Sequence, residues 1–204
     1  MVKRGIVTLA IALNLLLASC GGDALLAPLP RNAVILAFGD SLTAGNGAPE
    51  AGSYPAQLSR LLNRSVVNAG ISGEESREGR QRLAALLDEH RPQLLILCHG
   101  GNDLLRKRPK AQLEENLTAM ISMARERGIE VLMLGVPAPG IFLSADDVYE
   151  RVAQATGVAY LPDVIADTLS SASLKSDAVH PNQAGYGEIA DEIFDGLQDM
   201  GAIQ

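Results

Sequence analysis

The sequence of 204 residues contains no tryptophan, and aromatic side chains make up only 3% of it. Long runs of Lys and Arg are also missing, as is any set of aromatics suited to stacking on nucleic-acid bases. Because nucleic-acid binding needs clustered positive charge, we expect no nucleic acid among the partners. Solubility alone explains the net charge of −7. The length favours one domain, whose core must be filled by Leu, Ile, Val and Ala.

Histidine and cysteine are scarce as well, with three and two residues. The histidines have no ligand spacing, so we expect neither a metal site nor a cofactor. If Cys20 is lipidated, as its surroundings indicate below, Cys98 has no partner and no disulfide can form. Cys98 ends an apolar run and is predicted to be a buried small hydrophobe. A catalytic thiol is the alternative, because His99 and Asn102 follow it closely.

The first 20 residues have the features of an export signal. Lys3 and Arg4 precede an apolar run that is too short for the roughly 20 residues of a spanning helix. This run ends in Leu-Ala-Ser-Cys at positions 17–20, which resembles the bacterial lipobox. The resemblance implies cleavage before Cys20 and acylation of its thiol and its new amine. A plain signal peptide followed by an accidental cysteine is the alternative.

Localisation and domain limits follow from this segment. We expect residues 1–19 to be a lipoprotein signal peptide and the mature chain to be lipid-anchored in a bacterial cell envelope. In a host with two membranes, Gly21 favours the outer membrane, with the protein facing the periplasm. Residues 20–32 are rich in Gly, Ala, Leu and Pro and are predicted to be the lipidated cysteine and a tether. The folded domain is expected over residues 33–204.

From residue 33 onward, short apolar runs alternate with helical patterns. Most of the runs are rich in Val, Ile and Leu, as in strands that are covered on both faces. Such alternation predicts an α/β fold with about five parallel strands and helices on both faces. The candidate strands are 33–38, 65–68, 94–98, 130–134 and 158–161. The clearest helical patterns are Leu113, Leu117, Met120, Ile121 and Ala124, then Tyr186, Ile189, Ala190, Ile193, Phe194 and Leu197.

Polar or glycine-rich segments follow four of these strands. Because ligands of parallel sheets bind beyond the carboxyl ends of the strands, we expect the four segments to converge on one edge. Their positions are 39–41, 69–73, 100–103 and 137–140.

Three residues in this pattern are suited to nucleophilic catalysis. Ser41 lies at a strand-to-helix turn and needs a base within hydrogen-bond reach to act as a nucleophile. Asp177 and His180 lie three apart, so a carboxylate can orient an imidazole, and Pro181 disfavours helix at His180. The alternatives are an N-capping serine and a surface turn that caps the last helix, which leaves His180 unexplained. His90 is expected to be a solvated helix end, and His99 either tunes the pocket or only fills space.

An acyl-transfer site also needs donors for an oxyanion. The backbone N–H groups of Ser41 and Gly70 and the side-chain amide of Asn102 are the candidates. The alternatives are a tight turn at Gly70 and an Asx-turn at Asn102.

Four blocks in order resemble those of the SGNH/GDSL hydrolase family, and residues 136–140 resemble its arylesterase and thioesterase I/lysophospholipase subgroup. The blocks are 38–45, 68–73, 100–103 and 177–181. The resemblance implies a flavodoxin-like three-layer α/β/α sandwich over 33–204. It implies Ser41 as nucleophile, His180 as base, Asp177 as its orienter, and Ser41, Gly70 and Asn102 as oxyanion donors. His99 and a shortened 140–160 segment depart from the subgroup pattern, which puts the acyl-chain preference in doubt.

We therefore expect metal-free hydrolysis of small esters, thioesters or lysolipids through an acyl-serine. Two alternatives remain open. One is a deacetylase or acyltransferase acting on envelope glycans or lipids, and the other is a lipoprotein that keeps the fold as a binding module.

Overall fold

The computed structural model describes residues 25–138, 140 and 143–203. The expected signal peptide, the acylation site at Cys20 and Pro139 of the subgroup motif lie outside this part of the chain. Among the described residues, no helix is long and apolar enough to cross a membrane.

Five parallel strands form one sheet in the order β2-β1-β3-β4-β5. This order is the flavodoxin-like one, in which the chain reverses direction across the sheet after β2. The prediction of a parallel α/β sheet with five strands is therefore confirmed, with end-point differences of one or two residues. The strands are β1 (Val34–Gly39), β2 (Ser65–Gly70), β3 (Leu94–Cys98), β4 (Glu130–Leu134) and β5 (Ala159–Leu161).

Eight α-helices in the described part of the chain form the two outer layers. On one face, α2 and α7 pack against α8, and on the other face α5 packs between α3 and α6. These two layers complete the three-layer sandwich. The helices are α1 (Ser41–Ala44), α2 (Tyr54–Leu62), α3 (Ser76–His90), α4 (Gly101–Leu105), α5 (Lys110–Arg125), α6 (Asp147–Thr156), α7 (Val164–Ser170) and α8 (Gln183–Asp199).

The core lies on both faces of the three central strands. All residues of β3 are buried, including Cys98, and every residue of β1 after Val34 is buried. Helix α5 turns the expected stripe of apolar residues to the sheet, and α8 does the same. Edge strand β2 is only half-buried, which explains its mixed composition. Burial on both faces makes strands read as continuous apolar runs, and for this reason they could be located from the sequence.

Part of the segment predicted to be a tether, residues 20–32, packs against the folded domain. Leu26 and Leu29 are buried, and their N–H groups donate to the carbonyls of Met200 (3.2 Å) and Ala202 (2.8 Å) beyond the end of α8. The folded domain therefore begins near Leu26 and not at residue 33. The Pro- and Gly-rich composition concealed this, because two isolated leucines form no periodic pattern.

Candidate active site

Ser41 is the first residue of α1, and only Asp40 separates it from the end of β1. Asp40 caps this helix, since its Oδ1 accepts from Leu42 N (3.1 Å) while its Oδ2 accepts from Gly101 N (3.1 Å). Burial raises the pKa of Asp40, although these two hydrogen bonds act in the opposite direction. The carboxyl group thus joins the Ser41 turn to the loop after β3. Among the described residues, the Ser41 N–H has no hydrogen-bond partner, as is usual in the first turn of a helix.

His180 joins Ser41 to Asp177 through both of its ring nitrogens. Nε2 lies 2.9 Å from Ser41 Oγ, and Nδ1 lies 2.8 Å from Asp177 Oδ2. A carboxylate can only accept, so the ring proton lies on Nδ1 and Nε2 is left to accept from the serine hydroxyl. The structure therefore brings together the three residues that the sequence singled out, from positions 139 residues apart.

Residues 175–181, which we call the acid–base loop, carry both Asp177 and His180. Lys175 and Pro181 pair at its base as an isolated antiparallel bridge, and Ser176 N donates to the His180 carbonyl (3.0 Å). Asn182 then caps α8, which begins at Gln183. Pro181 therefore lies just before the helix, and His180 is outside it, as predicted.

Asp177 also shapes the acid–base loop from within. Its Oδ1 accepts from Val179 N (2.8 Å) and from His180 N (2.9 Å). Burial raises the pKa of Asp177, but these bonds and the one from the imidazole outweigh it and hold the pKa below its usual value. The carboxylate stays ionised beside the imidazole and can stabilise its protonated form.

A cavity of about 480 Å³ opens beside these residues, and Ser41, Asn102 and His180 lie on its wall. The remainder of the wall is mostly apolar, with Lys175 as a basic side chain at one side. A site with this lining can hold an apolar chain while the polar groups act at one end. Its main apolar residues are Leu42, Leu105, Val136, Leu143, Leu169 and Val179.

Asn102 lies in the first turn of α4, where the sequence expected a donor. Its Nδ2 donates to the Glu74 carbonyl (3.0 Å), which fixes the orientation of the amide. An amide nitrogen carries two hydrogens, so one remains for a ligand.

Gly70, the other expected donor, does not reach the cavity wall. Its N–H donates to Asn68 Oδ1 (3.0 Å), and the residue lies so close to the backbone of α1 that a Cβ would overlap Ala44 N. Gly73 in the same loop does not line the cavity either, but its N–H group is in a different state from that of Gly70. Its φ is +80°, and among the described residues its N–H has no partner. Gly73 directly precedes Glu74, whose carbonyl holds Asn102. Gly73 was missed because Gly70, at the end of the strand run, had the more obvious position.

Glu74 and Arg82 are polar residues that the sequence reasoning also missed. With His99 they form a buried cluster behind Asn102, in which Glu74 Oε2 lies 3.1 Å from His99 Nε2 and 2.6 Å from Arg82 Nη2. A signal in the sequence could have identified this pair: Glu74 follows a glycine-rich loop, and Arg82 lies eight residues further on. His90 ends α3, as expected. The described residues contain no cluster of three or more His, Cys, Asp or Glu side chains suited to a metal ion.

A serine activated by a His–Asp pair at the carboxyl edge of an α/β/α sandwich defines a class, the serine hydrolases that act on ester bonds. Comparison with known proteins narrows the class. The sequence profile of the GDSL-like Lipase/Acylhydrolase family matches residues 37–187, and the chain belongs to this family.

Two relatives and one solved structure illustrate the similarity. Esterase TesA of Pseudomonas aeruginosa is 32% identical, with 91% of this chain and 98% of that protein aligned. "Thioesterase 1/protease 1/lysophospholipase L1" of Escherichia coli is 31% identical, with 81% and 84% aligned. A crystal structure of TesA superposes with a TM-score of 0.75 at 32% identity, covering 82% of this chain and 99% of the other.

Proposed function

We propose that this chain hydrolyses carboxylic esters or thioesters through an acyl-Ser41 intermediate. The observation that carries the proposal is the continuous hydrogen-bonded chain from Asp177 through His180 to the Ser41 hydroxyl. Ser41 Oγ bonds to the acyl carbon while its proton passes to His180 Nε2, and Asp177 stabilises the resulting imidazolium. The tetrahedral adduct then expels the alcohol or thiol, which takes the proton from His180.

Deacylation repeats these steps with water as the nucleophile. His180, neutral again, removes a proton from the water as its oxygen bonds to the acyl carbon. Collapse of the second adduct breaks the bond to Ser41 Oγ, returns the proton to Ser41, and releases the carboxylic acid. Two barriers, each assisted by the same base, replace one unassisted hydrolysis.

Replacement of the nucleophile tests this proposal. Purified Ser41→Ala should lose hydrolysis of an activated ester such as a p-nitrophenyl acyl ester, while its melting temperature stays close to that of the unaltered protein. Ser122→Ala, on the exposed side of α5, is the matched control and should keep its activity, because its hydroxyl bonds only the Thr118 carbonyl (3.0 Å). Full esterase activity in Ser41→Ala would refute the mechanism.

We assign the oxyanion donors to Ser41 N–H, to the Asn102 amide, and to Gly73 N–H in place of Gly70. Three observations support the change: the Gly70 N–H is taken by Asn68, the Gly73 N–H is unpaired among the described residues, and Gly73 adjoins the carbonyl that holds Asn102. Donors that are fixed before the reaction stabilise the developing charge without reorganisation.

Asn68→Ala separates the two glycines. If Gly73 is the donor, the variant should hydrolyse esters with an unchanged kcat, because Asn68 then touches no reacting group. If Gly70 is the donor, removing its internal partner frees the N–H, and kcat should rise.

The cavity favours acyl groups with an apolar chain. Each methylene that enters such a pocket contributes about 0.8 kcal/mol to binding, so kcat/KM should rise along a series of esters until the cavity is full. Thioesters and lysophospholipids are included as substrates because the relative from Escherichia coli carries those activities in its name. A panel of esters and thioesters of graded acyl length measures the preference directly.

Lys175 gives a reason to include substrates with an anionic alcohol part. Its side chain lies on the cavity wall that also contains Ser41. Lys175→Gln should therefore lower kcat/KM for a lysophospholipid more than for a neutral monoacylglycerol of the same acyl length. An equal loss of kcat/KM on the two substrates would show that Lys175 does not recognise the phosphate.

We further propose that Cys20 is acylated and anchors the protein in a bacterial cell envelope, on the outer membrane where the host has two. The support is the sequence of residues 1–20. In cells, Cys20→Ser should move the protein from the membrane fraction to the soluble fraction. Membrane retention by the variant would contradict the proposal.

Such an anchor has a consequence for the substrate. Leu26 lies six positions after Cys20, so at most about 22 Å of chain connects lipid and domain. Leu26 joins the C-terminal end of α8, whereas the acid–base loop precedes its N-terminal end. A helix of 17 residues is about 25 Å long, so the cavity lies about one helix length from the attachment point. This arrangement favours substrates that leave the bilayer, as lysolipids and soluble esters do.

A further inference from the structure

Three ionisable side chains lie together behind the cavity, two of them buried and the third, Arg82, 22% exposed, and the proposed reaction uses none of them. We call Glu74, Arg82 and His99 the buried network. His99 is fully buried, the Glu74 side chain is 6% exposed, and Arg82 lies over the Phe38 ring at 4.1 Å. Burying charge is costly unless each group is paired. Each of these three side chains is paired by hydrogen bonds to the other two or to the main chain.

Arg82 ties the ends of two strands to Glu74. Its Nε and Nη2 donate to the two carboxylate oxygens of Glu74 at 2.7 and 2.6 Å, a bidentate pair. Nη2 also donates to the Ala69 carbonyl (2.8 Å) and the Gly39 carbonyl (3.3 Å). One guanidinium thus holds the ends of β1 and β2 and the loop that follows β2.

His99 ties the end of β3 to the same carboxylate. Gly100 N donates to His99 Nδ1 (2.9 Å), so the ring proton lies on Nε2, which donates to Glu74 Oε2 (3.1 Å). The backbone carbonyl of His99 is itself held by the Tyr149 hydroxyl (2.8 Å). Glu74 is therefore the residue at which three strand ends meet.

The buried network reaches the reacting groups through the main chain of Glu74. Its carbonyl accepts from Asn102 Nδ2, and its N-terminal neighbour is Gly73. Any shift of Glu74 would rotate the Asn102 amide and move the Gly73 N–H together. Both groups would then be displaced relative to the oxyanion.

We propose that the buried network, with His99 as its link to β3, positions the Asn102 amide and sets the spacing of the oxyanion donors. His99 is thus a positioning residue that acts through Glu74 and Asn102. This inference rests on the proposed function, because it concerns donors for the same acyl transfer.

A glycine in α3 provides a second, independent observation. Gly79 lies in the interior of a helix, where glycine costs roughly 0.5–1 kcal/mol relative to alanine. A Cβ at this position would overlap the His99 ring at Nε2 and Cδ2. The helix therefore carries an unfavourable residue at the place where the imidazole must pass to reach Glu74.

A double-mutant cycle tests the inference on kcat of a p-nitrophenyl ester. His99→Leu removes both ring nitrogens and leaves an apolar side chain in a buried space. It should lower kcat about tenfold, the size expected for residues within one hydrogen-bond network, with KM within about twofold. In an Asn102→Ala background the same change should lower kcat by a clearly smaller factor, because one of the two groups that the network positions is already gone.

His99→Gln and Gly79→Ala make the test independent of one substitution. Gln keeps a donor for Glu74 and should restore most of kcat. Gly79→Ala removes no polar group and favours the helix, yet it should lower kcat because the ring must move. Asp88→Asn is the control, since it breaks an Arg–carboxylate pair with Arg127 (2.7 Å) at the other edge of the sheet. Its kcat should not change.

The outcomes separate this inference from the proposed function. If the unaltered protein hydrolyses no ester or thioester, the proposed function fails. If it is active and His99→Leu lowers kcat by the same factor with and without Asn102, the buried network is only structural and the inference is overturned. An unchanged kcat in His99→Leu also overturns it. A loss that is clearly larger when Asn102 is present than when it is absent supports it.

Discussion

The acid–base loop and the donor loops reach the same cavity but are built in opposite ways. Asp177 is 54% exposed at its side chain, and the acid–base loop is closed by one bridge and a few local hydrogen bonds. The donor loops after β2 and β3 are held by buried, bidentate and multiply bonded groups such as Glu74 and Arg82. Asp177 and His180 are thus positioned by contacts within their own loop, whereas the proposed oxyanion donors are positioned by contacts between strand ends.

This difference agrees with what each part must do. A base needs only correct distance to one hydroxyl, and a short turn in which Asp177 bonds two N–H groups supplies it. Oxyanion donors come from three separate segments and must keep a common geometry, which requires connections between strands. Substitutions in the two regions should therefore differ in what they change.

The largest effect is expected at the base. His180→Ala should lower kcat about 10⁶-fold, as removal of a catalytic histidine does in a serine protease, because Ser41 loses its proton acceptor. The melting temperature should change little, since the side chain is partly exposed. His90→Ala, at the end of α3, is the matched control and should remain fully active. Comparable activity of the two variants would remove His180 from the mechanism.

A smaller loss is expected at the carboxylate. Asp177→Asn should lower kcat about 10⁴-fold while keeping the fold of the loop, since an amide oxygen can still accept from Val179 N and His180 N. Asp177→Ala should lose those bonds as well and melt at a lower temperature. Thermal melts beside kcat measurements test both statements. Identical melting temperatures for Asn and Ala would show that Asp177 does not shape the loop.

Substitution of a proposed oxyanion donor should lower kcat less than substitution of His180 or Asp177. Asn102→Ala removes one oxyanion donor and should lower kcat about 10²–10³-fold with a smaller change in KM. Asn116→Ala is the contrast, because Asn116 is buried and bonds Ser76 Oγ (2.9 Å) but does not line the cavity. That variant should lose stability and keep kcat. An unchanged kcat in Asn102→Ala would exclude it as a donor.

The smallest effect concerns stability and pH. Burial raises the pKa of Glu74, but hydrogen bonds from His99 and Arg82 outweigh it and hold the pKa below its usual value. A carboxyl whose pKa is lowered on folding stabilises the fold above its unfolded pKa, about 4.3, and loses that contribution as pH falls through the folded pKa. Glu74→Gln should therefore lower the free energy of unfolding by about 2 kcal/mol near neutral pH.

Urea unfolding across pH measures this difference. The gap between the unaltered protein and Glu74→Gln should narrow as the pH falls from about 4.3, the unfolded pKa, through the lower folded pKa of Glu74. Asp177→Asn should show a weaker pH dependence of the gap, because its exposed carboxylate is screened by solvent. A gap at Glu74 that is constant over pH would contradict the ionised pair.

Much of the fold and part of the candidate site could be predicted from the sequence. Strands β1 and β3 are buried on both faces and therefore read as apolar runs, and Ser41, Asp177 and His180 stand in short motifs of their own. The early start of the domain at Leu26 gave no periodic signal. Gly73, Glu74 and Arg82 could not be ranked, because their importance depends on contacts between loops far apart in sequence.

Covalent labelling of Ser41 tests most directly whether this serine is a nucleophile activated by His180. After treatment with a fluorophosphonate, the intact mass of the unaltered protein should show one adduct. Peptide mapping should locate this adduct on the peptide that contains Ser41. The adduct should be absent from Ser41→Ala and form far more slowly on His180→Ala. An adduct on another residue, or no adduct on a folded, unaltered protein, would contradict the acyl-Ser41 mechanism.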